Sequence, residues 1–284
     1  MLVLDDTITA LATSSGGSIN IIRISGDEAI NIIGKIFNKK LEDHKITYGK
    51  IIYNEKLIDE VLISFFKGPK SYTGEDTVEI NCHGGIITAK KILDILLRIG
   101  CRLATNGEFT KRAFLNGRLD LTNAEAVMSI IDAKTEKEQE IALSQLEGEL
   151  SSEISDYRTA LLHLIASIEA SIDYPEHDLE HDNLIEIEEK VLDIQENIES
   201  LVSTYEKGKI IKEGIETAII GSPNVGKSSF LNRLVGEEVA IFKDVAVTTI
   251  DTLKDYVKIN GIFLKIIDTE GIIETNYKVE KIGV

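Results

Sequence analysis

The run AIIGSPNVGKSSF, which begins at Ala218, constrains the fold of this chain more than any other stretch. Its residues Gly221–Ser228 fit the phosphate-binding pattern G-x-x-x-x-G-K-[ST], with an apolar strand pattern before them and a helical pattern after them. Glycines in such a loop let backbone N–H groups point at phosphate oxygens, and the helix that follows offers its positive N-terminus. The motif therefore predicts a nucleotide site on a strand–loop–helix unit, and a glycine-rich structural turn is the alternative.

Two further pieces of sequence extend the motif. The pair Thr248-Thr249 lies in a polar segment after the predicted helix, and D-x-x-G follows an apolar strand pattern at Asp268–Gly271. In such an arrangement a threonine can close over Mg²⁺ and the γ-phosphate, an aspartate can hold the water shell of Mg²⁺, and a glycine N–H can meet the γ-phosphate. The three pieces in this order favour a GTPase over a general ATPase. The guanine-reading pattern N-K-x-D does not occur in the sequence.

The place of the motif in the chain raises a question of length. It begins at Gly221 of 284 residues, whereas a domain of this kind needs on the order of 100 residues or more. We therefore expect this chain to contain only the first part of a G domain.

The composition of the chain limits its predicted location and its predicted binding partners. The sequence has no basic and apolar leader and no apolar run long enough to span a bilayer, which predicts a cytoplasmic protein without a membrane segment. Its two cysteines, Cys82 and Cys101, are too few for a disulfide framework, and we expect both to be buried. The net charge of −17 is uneven, because residues 119–208 carry 5 Lys and Arg against 23 Asp and Glu. Such an acidic block repels phosphate backbones, so a nucleic acid would need a local patch or a partner protein.

The patterns along the chain predict an α+β multidomain fold with domains at 1–118, 119–208 and 209–284. The first domain mixes strands, such as 18–25 and 77–85, with a helix over 88–100. The second is helical, because apolar residues at steps of three and four make one stripe over 161–172 and another over 184–201. Both stripes predict the core of a helical bundle. The third begins with a short strand and contains a hairpin with Asn260-Gly261 as its turn.

Four runs carry a resemblance to a known family. They are GPKSYTGEDTVEINCHGG at 68–85, NGEFTKRAFLNGRLDLTNAEAV at 106–127, SQLEGELS at 144–151 and VEKIGV at 279–284. Together with the phosphate loop, they make the chain resemble the MnmE (TrmE) family of tRNA-modification GTPases along its whole length. The resemblance implies an N-terminal α/β folate-binding domain, a helical bundle domain, and the start of a Ras-like P-loop GTPase domain inserted into the helical one. A ribosome-assembly GTPase, the other reading of the loop, leaves the first three runs unexplained.

The resemblance also implies an activity. The implied protein is a potassium-activated GTP hydrolase that works with an FAD-dependent partner, MnmG (GidA), to modify C5 of the wobble uridine in certain tRNAs. The implied cofactors are GTP, Mg²⁺, K⁺ and 5-formyl- or methylene-tetrahydrofolate, and the implied assembly is a homodimer through the N-terminal domain. The alternative is a folate-binding dimer module whose truncated G segment does not hydrolyse GTP.

The folate contacts that the resemblance implies fall on Arg23, Glu79 and Arg118. The chemistry fits, because arginines pair with folate carboxylates and a carboxylate accepts hydrogen bonds from pterin N–H groups. The residues alone leave an alternative open, which is a strand-edge ion pair for Arg23 and a cross-strand salt bridge for Glu79.

The resemblance places the nucleotide contacts in the phosphate loop and in two later segments. Glu280 matches the family's water-orienting glutamate, with a solvated helix face as the alternative. The implied metal ligands are Ser228 and Thr249 for Mg²⁺, and Asn224, Lys243, Val245 and Thr248 for K⁺. The implied GTP contacts are Asn224, Val225, Gly226, Lys227, Ser228, Ser229, Lys243, Asp244, Val245, Ala246, Val247, Thr248, Thr249, Asp268, Thr269, Glu270 and Gly271.

Three positions depart from the family's usual residues. Val247 replaces a glycine and stiffens the segment, Ile250 replaces an arginine and removes a cation, and Glu270 replaces an alanine and adds a negative charge beside the phosphates. We expect these changes to slow hydrolysis more than they weaken nucleotide binding.

Overall fold

The computed structural model describes residues 6–14, 17–173, 181–220, 225–226, 229–230, 233, 255–259 and 262–267. The chain divides into two compact units, residues 1–127 and 128–284. Helices and mixed sheet occur as the predicted α+β class requires. The three predicted domain boundaries stay predictions.

A six-stranded sheet forms the first unit. Its strands lie in the order β3-β4-β5-β2-β1-β6, and all neighbours are antiparallel except β1 and β6. The predicted strands over 18–25 and 77–85 are β2 and β5. The bounds are β1 Ile8–Leu11, β2 Ile19–Ser25, β3 Lys45–Tyr53, β4 Lys56–Phe66, β5 Thr77–His83 and β6 Arg102–Leu103.

The core of this unit lies on one face of the sheet. Helices α1 (Ala29–Gly34) and α2 (Ile86–Ile99) pack there against alternate strand residues, such as Ile22 and Ile80, which are fully buried. Helix α2 is the helix predicted over 88–100, and Gly100 takes a φ of 130° at its C-cap. Because successive strand residues point to opposite faces, Arg23 and Glu79 lie on the other face of the sheet. A third helix, α3 (Glu108–Leu115), follows β6.

Helices dominate the residues that follow. They are α4 Leu121–Asp132, α5 Glu136–Glu147, α6 Glu149–Asp173, α7 His181–Ser203 and α8 Tyr205–Glu213. The two predicted stripes lie on α6 and α7, and these helices pack against each other.

The two stripes are buried at single positions and partly exposed over the rest of their length. Leu164 and Ile194 are buried, but Ile165 is 50% exposed and Val191 is 43% exposed. The main helix partners of α6 among the described residues are α5 and α7, and these leave much of its apolar face open.

A second sheet lies in the second unit. Strand β7 (Ile215–Ala218) runs parallel to β9 (Ile262–Ile267), which pairs antiparallel with β8 (Asp255–Ile259). The predicted hairpin is therefore present, while its turn at 260–261 lies outside the described residues. Within the described parts of the chain, we find no helix with the length and apolar character needed to cross a membrane.

Candidate functional site

Arg23 and Glu79 are direct partners across the sheet. They face each other in the register of β2 and β5, and Nε and Nη2 of Arg23 both donate to Oε1 of Glu79, at 2.9 and 2.7 Å. Their side chains are 23% and 22% exposed, so the ion pair is partly accessible from solvent. The cross-strand salt bridge foreseen as an alternative is present. The strand-edge alternative for Arg23 is wrong, because β2 lies between β5 and β1.

Tyr72 brings the third predicted residue to this pair. The guanidinium carbons of Arg23 and Arg118 lie 4.9 and 5.1 Å from the centroid of its ring. Arg118 also donates from Nη1 to the carbonyl oxygen of Tyr72, at 2.9 Å. Phe109 of α3 adds a second ring, 5.4 Å from the Arg23 guanidinium carbon. The structure thus assembles Arg23, Glu79 and Arg118 around one aromatic side chain, although they are far apart in sequence.

A pocket of about 430 Å³ opens at this cluster. Glu79 and Arg118 line it, while Arg23 is outside the lining and is the ion-pair partner of Glu79. The pocket combines the Glu79 carboxylate as an acceptor for N–H groups, the Arg118 guanidinium as a donor to anionic groups, and the Tyr72 ring as an aromatic wall. These groups suit a flat, polar and anionic molecule. Its lining consists of Phe66, Pro69, Lys70, Ser71, Tyr72, Thr77, Glu79 and Arg118.

Sequence reasoning missed Tyr72 and Phe109. The signal that could have found Tyr72 is its place in GPKSYTGEDT, an aromatic residue between turn-forming residues just before a strand. No comparable local signal marks Phe109, because its role comes from the position of α3 beside β2.

The two cysteines are buried, as expected. Burial raises the pKa of the Cys82 thiol to about 11 and that of Cys101 to about 12. A thiol with so high a pKa is a poor nucleophile near neutral pH. Neither cysteine is therefore a candidate for covalent chemistry.

Three of the predicted nucleotide contacts lie among the described residues. Val225, Gly226 and Ser229 are all exposed. Gly226 has a φ of 95°, a conformation that favours glycine, and the Phe230 N–H donates to its carbonyl oxygen at 2.9 Å. The predictions for Asn224, Lys227, Ser228, Lys243, Asp244, Val245, Ala246, Val247, Thr248, Thr249, Asp268, Thr269, Glu270, Gly271 and Glu280 fall outside the described residues.

The second sheet has two parallel strands that end at one edge. Because β7 and β9 are parallel neighbours, their carboxyl ends lie at the same edge of the sheet. In the sequence, the phosphate-loop motif follows β7 and Asp268 directly follows β9. An edge of this kind is where ligands bind in open α/β sheets.

The first unit holds a pocket lined by Glu79 and Arg118. The second holds helices and a parallel strand pair, and a phosphate-loop sequence follows the first strand of that pair. These features together are those of a multidomain protein of the P-loop class. Residues 7–118 match the family model described as GTP-binding protein TrmE N-terminus, and residues 121–281 match the model described as MnmE helical domain. The chain therefore belongs to the MnmE family.

Curated relatives agree over the whole chain. The protein of Clostridioides difficile (strain 630) is 50% identical over 291 residues, that of Alkaliphilus oremlandii (strain OhILAs) is 52% identical over 295, and that of Acetivibrio thermocellus is 51% identical over 288. Each is named tRNA modification GTPase MnmE. The matches cover 99 to 100% of this chain but 63 to 64% of the relatives' own length.

Proposed function

We propose that the protein is a GTP hydrolase that acts in tRNA modification, with a folate site in its first unit and a nucleotide site at the edge of its second sheet. The observation that carries the folate part of the proposal is a pocket lined by Glu79 and Arg118. Arg23, from a third segment, joins them through its ion pair with Glu79 and its contact with the Tyr72 ring. The name shared by the relatives, tRNA modification GTPase MnmE, supports the activity.

The pocket suits a reduced folate that carries a one-carbon unit. The Glu79 carboxylate accepts from the N–H groups of the pterin ring, while Arg23 and Arg118 attract the carboxylates of the glutamate tail. In this proposal 5-formyl- or methylene-tetrahydrofolate supplies the carbon for C5 of the wobble uridine, and the FAD-dependent MnmG protein supplies the redox chemistry.

The nucleotide chemistry is proposed for residues outside the described ones. Lys227 neutralises charge on the β- and γ-phosphates, and Ser228 and Thr249 hold Mg²⁺. Asn224 and the segment 243–248 hold K⁺, whose charge offsets that which grows between the β- and γ-phosphates. Glu280 orients the attacking water.

The acidic charge of residues 119–208 supports a role for partner proteins in binding tRNA. Residues 119–208 carry 23 acidic against 5 basic side chains, so they repel a tRNA backbone. We propose that the MnmG partner supplies much of the tRNA-binding surface, and that a second copy of the chain pairs with the first through the N-terminal domain.

The hydrolysis proposal is tested by GTP turnover of the native protein in KCl and in NaCl at equal ionic strength. We expect faster turnover in K⁺ and loss of turnover in Lys227→Ala, because the β- and γ-phosphates lose their ammonium partner. Binding of folate without GTP turnover in either salt would favour the folate-binding dimer module instead. No observation on the described residues favours that alternative.

The folate proposal is tested by comparing two ligands. We expect 5-formyltetrahydrofolate to bind at least about ten-fold more tightly than the same compound without its glutamate tail. In Arg23→Ala this preference should shrink, while Lys227→Ala should leave it intact. Equal binding of both ligands by the unchanged chain would contradict the assignment of the arginines.

A further inference from the structure

Arg112 is a fully buried cation that the proposed pocket chemistry does not use. Its side chain on α3 is 1% exposed, and it lies among three carboxylates. Nη2 lies 2.5 Å from Oδ1 of Asp6 and 3.4 Å from Oε1 of Glu108, and Nη1 lies 3.1 Å from Oε2 of Glu75. Nη1 also donates to the Asp6 carbonyl oxygen, at 2.8 Å. Burying a guanidinium costs free energy of desolvation, so filling space in the core does not explain why an arginine occupies this position.

Glu75 connects Arg112 to the pocket. It belongs to the segment between β4 and β5, residues 67–76, which we call the pocket loop and which contributes Lys70, Ser71 and Tyr72 to the lining. The carboxylate of Glu75 is 11% exposed and accepts from the Ser25 hydroxyl at 2.7 Å. Ser25 in turn lies 2.6 Å from the Thr73 hydroxyl, next to Tyr72. A chain of polar contacts therefore runs from Arg112 to the residue beside the aromatic wall.

Other residues of α3 and its C-cap form hydrogen bonds to the same loop. Thr110 lies 2.9 Å from the Tyr72 hydroxyl, and Asn116 donates from Nδ2 to the Thr73 carbonyl oxygen at 2.7 Å. These bonds hold the loop at Tyr72 and Thr73, and the Glu75 carboxylate anchors it two residues further along the chain. Loss of Arg112 leaves that carboxylate buried without its cation, a state that is relieved by movement of the loop toward water or by uptake of a proton. Either response removes the ion pair that anchors the loop to α3.

We propose that Arg112 is a positioning residue for the pocket. It holds Glu75, and through Glu75 and the pocket loop it keeps the Tyr72 ring beside Arg23 and Arg118. The consequence for ligand binding rests on the proposed folate function, whereas the consequence for the loop does not.

Arg102 provides a matched control. It bonds to Asp6 and to Glu108, at 2.5 Å from Nη2 to Oε1 of Glu108, so it shares two of the three carboxylates with Arg112. Among the described residues it does not reach Glu75, and its side chain is 45% exposed. A role in general stability affects both arginines, whereas a role in positioning the loop belongs to Arg112.

The experiment measures two properties of the chain in Arg112→Gln, Arg112→Lys and Arg102→Gln. The first is amide hydrogen exchange of residues 67–76 without ligand, and the second is the dissociation constant for 5-formyltetrahydrofolate. We expect Arg112→Gln to speed exchange in the loop and to weaken binding at least about ten-fold. We expect Arg112→Lys to show the same two changes as Arg112→Gln, because an ammonium lacks the planar guanidinium that bridges Asp6 and Glu75. Arg102→Gln should leave both unchanged.

Several outcomes overturn the proposal. One is loop exchange in Arg112→Gln that equals that of the unchanged chain, and another is loop exchange that rises equally in Arg102→Gln. If the unchanged chain does not bind the folate, the proposed function fails, and loop exchange alone still decides the role of Arg112. If Arg112→Gln does not fold, Glu75→Gln replaces it, because the amide keeps the side-chain volume and an acceptor for Ser25 but loses the charge. Unchanged loop exchange in Glu75→Gln then contradicts the proposal.

Discussion

At the scale of single residues, Gly84 shows how closely two backbone segments approach. A Cβ atom at this position would overlap the carbonyl oxygen of Gly17, and the Gly84 N–H donates to the Ser18 carbonyl oxygen at 2.9 Å. Backbone atoms cannot move aside as a flexible side chain can. We expect Gly84→Ala to lower the free energy of unfolding by about 2 kcal/mol, measured by urea denaturation. Gly34→Ala is the control, since a Cβ there meets no atom within 4 Å, and an equal loss in both variants would contradict the argument.

Glu108 predicts how stability depends on pH. Arg102 donates to its carboxylate and lowers its pKa from 4.5 to about 2, with further help from the Thr105 N–H at 2.8 Å. A depressed folded-state pKa adds stability above the ordinary value, and that stability is lost as pH falls toward the folded-state value. We therefore expect the free energy of unfolding to fall from about pH 5 to about pH 2.

The comparison that checks this is Glu108→Gln, which should show a shallower fall over the same range. Glu55→Gln, at an exposed position in the turn between β3 and β4, should keep the slope of the unchanged chain. Identical slopes in Glu108→Gln and the unchanged chain would show that another group carries the effect.

At the scale of elements, helix α5 begins with a defined cap. Oγ1 of Thr135 accepts from the Glu138 N–H at 3.0 Å, and the Glu138 carboxylate accepts from the Lys134 N–H at 2.6 Å. These bonds satisfy donors that a helix start otherwise leaves open. We expect Thr135→Ala to lower the free energy of unfolding by about 1 kcal/mol and Thr135→Ser to preserve it, measured by urea denaturation.

Thr159→Ala is the control for the cap, because the Thr159 hydroxyl donates to the Ser155 carbonyl oxygen inside helix α6 and caps no helix start. If Thr135→Ala lowers the free energy of unfolding no more than Thr159→Ala does, the cap does not stabilise the protein as we expect.

Local patterns were enough to predict several elements. β2, β5, α2 and the β8–β9 hairpin follow from residue types and spacing that act within a few positions. The meeting of Arg23 and Glu79 does not, because these residues are 56 positions apart and only the register of the sheet pairs them. The carboxylates around Arg112 come from three separate segments for the same reason. The apolar spacing on α6 and α7 predicted the helices correctly, but spacing does not reveal which partner covers a face.

At the scale of the whole molecule, an apolar groove on the helices marks the second unit. It has a volume of about 390 Å³ and lies between α6 and α7, with Leu161 and Ile198 among its lining. An exposed groove of this kind binds dyes such as anilinonaphthalene sulfonate. We expect the chain to enhance the fluorescence of this dye, and Leu161→Gln with Ile198→Gln to reduce the enhancement without changing the dissociation constant for 5-formyltetrahydrofolate.

Leu57→Gln serves as the control for the groove, because Leu57 is also exposed, at 55%, but lies on β4 of the first unit. If it reduced the dye signal as much as the double variant did, the groove would not be the binding site.

The central claim is that one pocket, lined by Tyr72, Glu79 and Arg118 with Arg23 as the ion-pair partner of Glu79, binds a reduced folate. Calorimetric titration of 5-formyltetrahydrofolate into the chain tests it most directly, with Arg118→Ala beside Arg98→Ala, an exposed arginine on α2 that does not line the pocket. We predict saturable binding that Arg118→Ala weakens at least about ten-fold and Arg98→Ala leaves unchanged. Absence of binding by the unchanged chain, or equal losses in the two variants, would contradict the account.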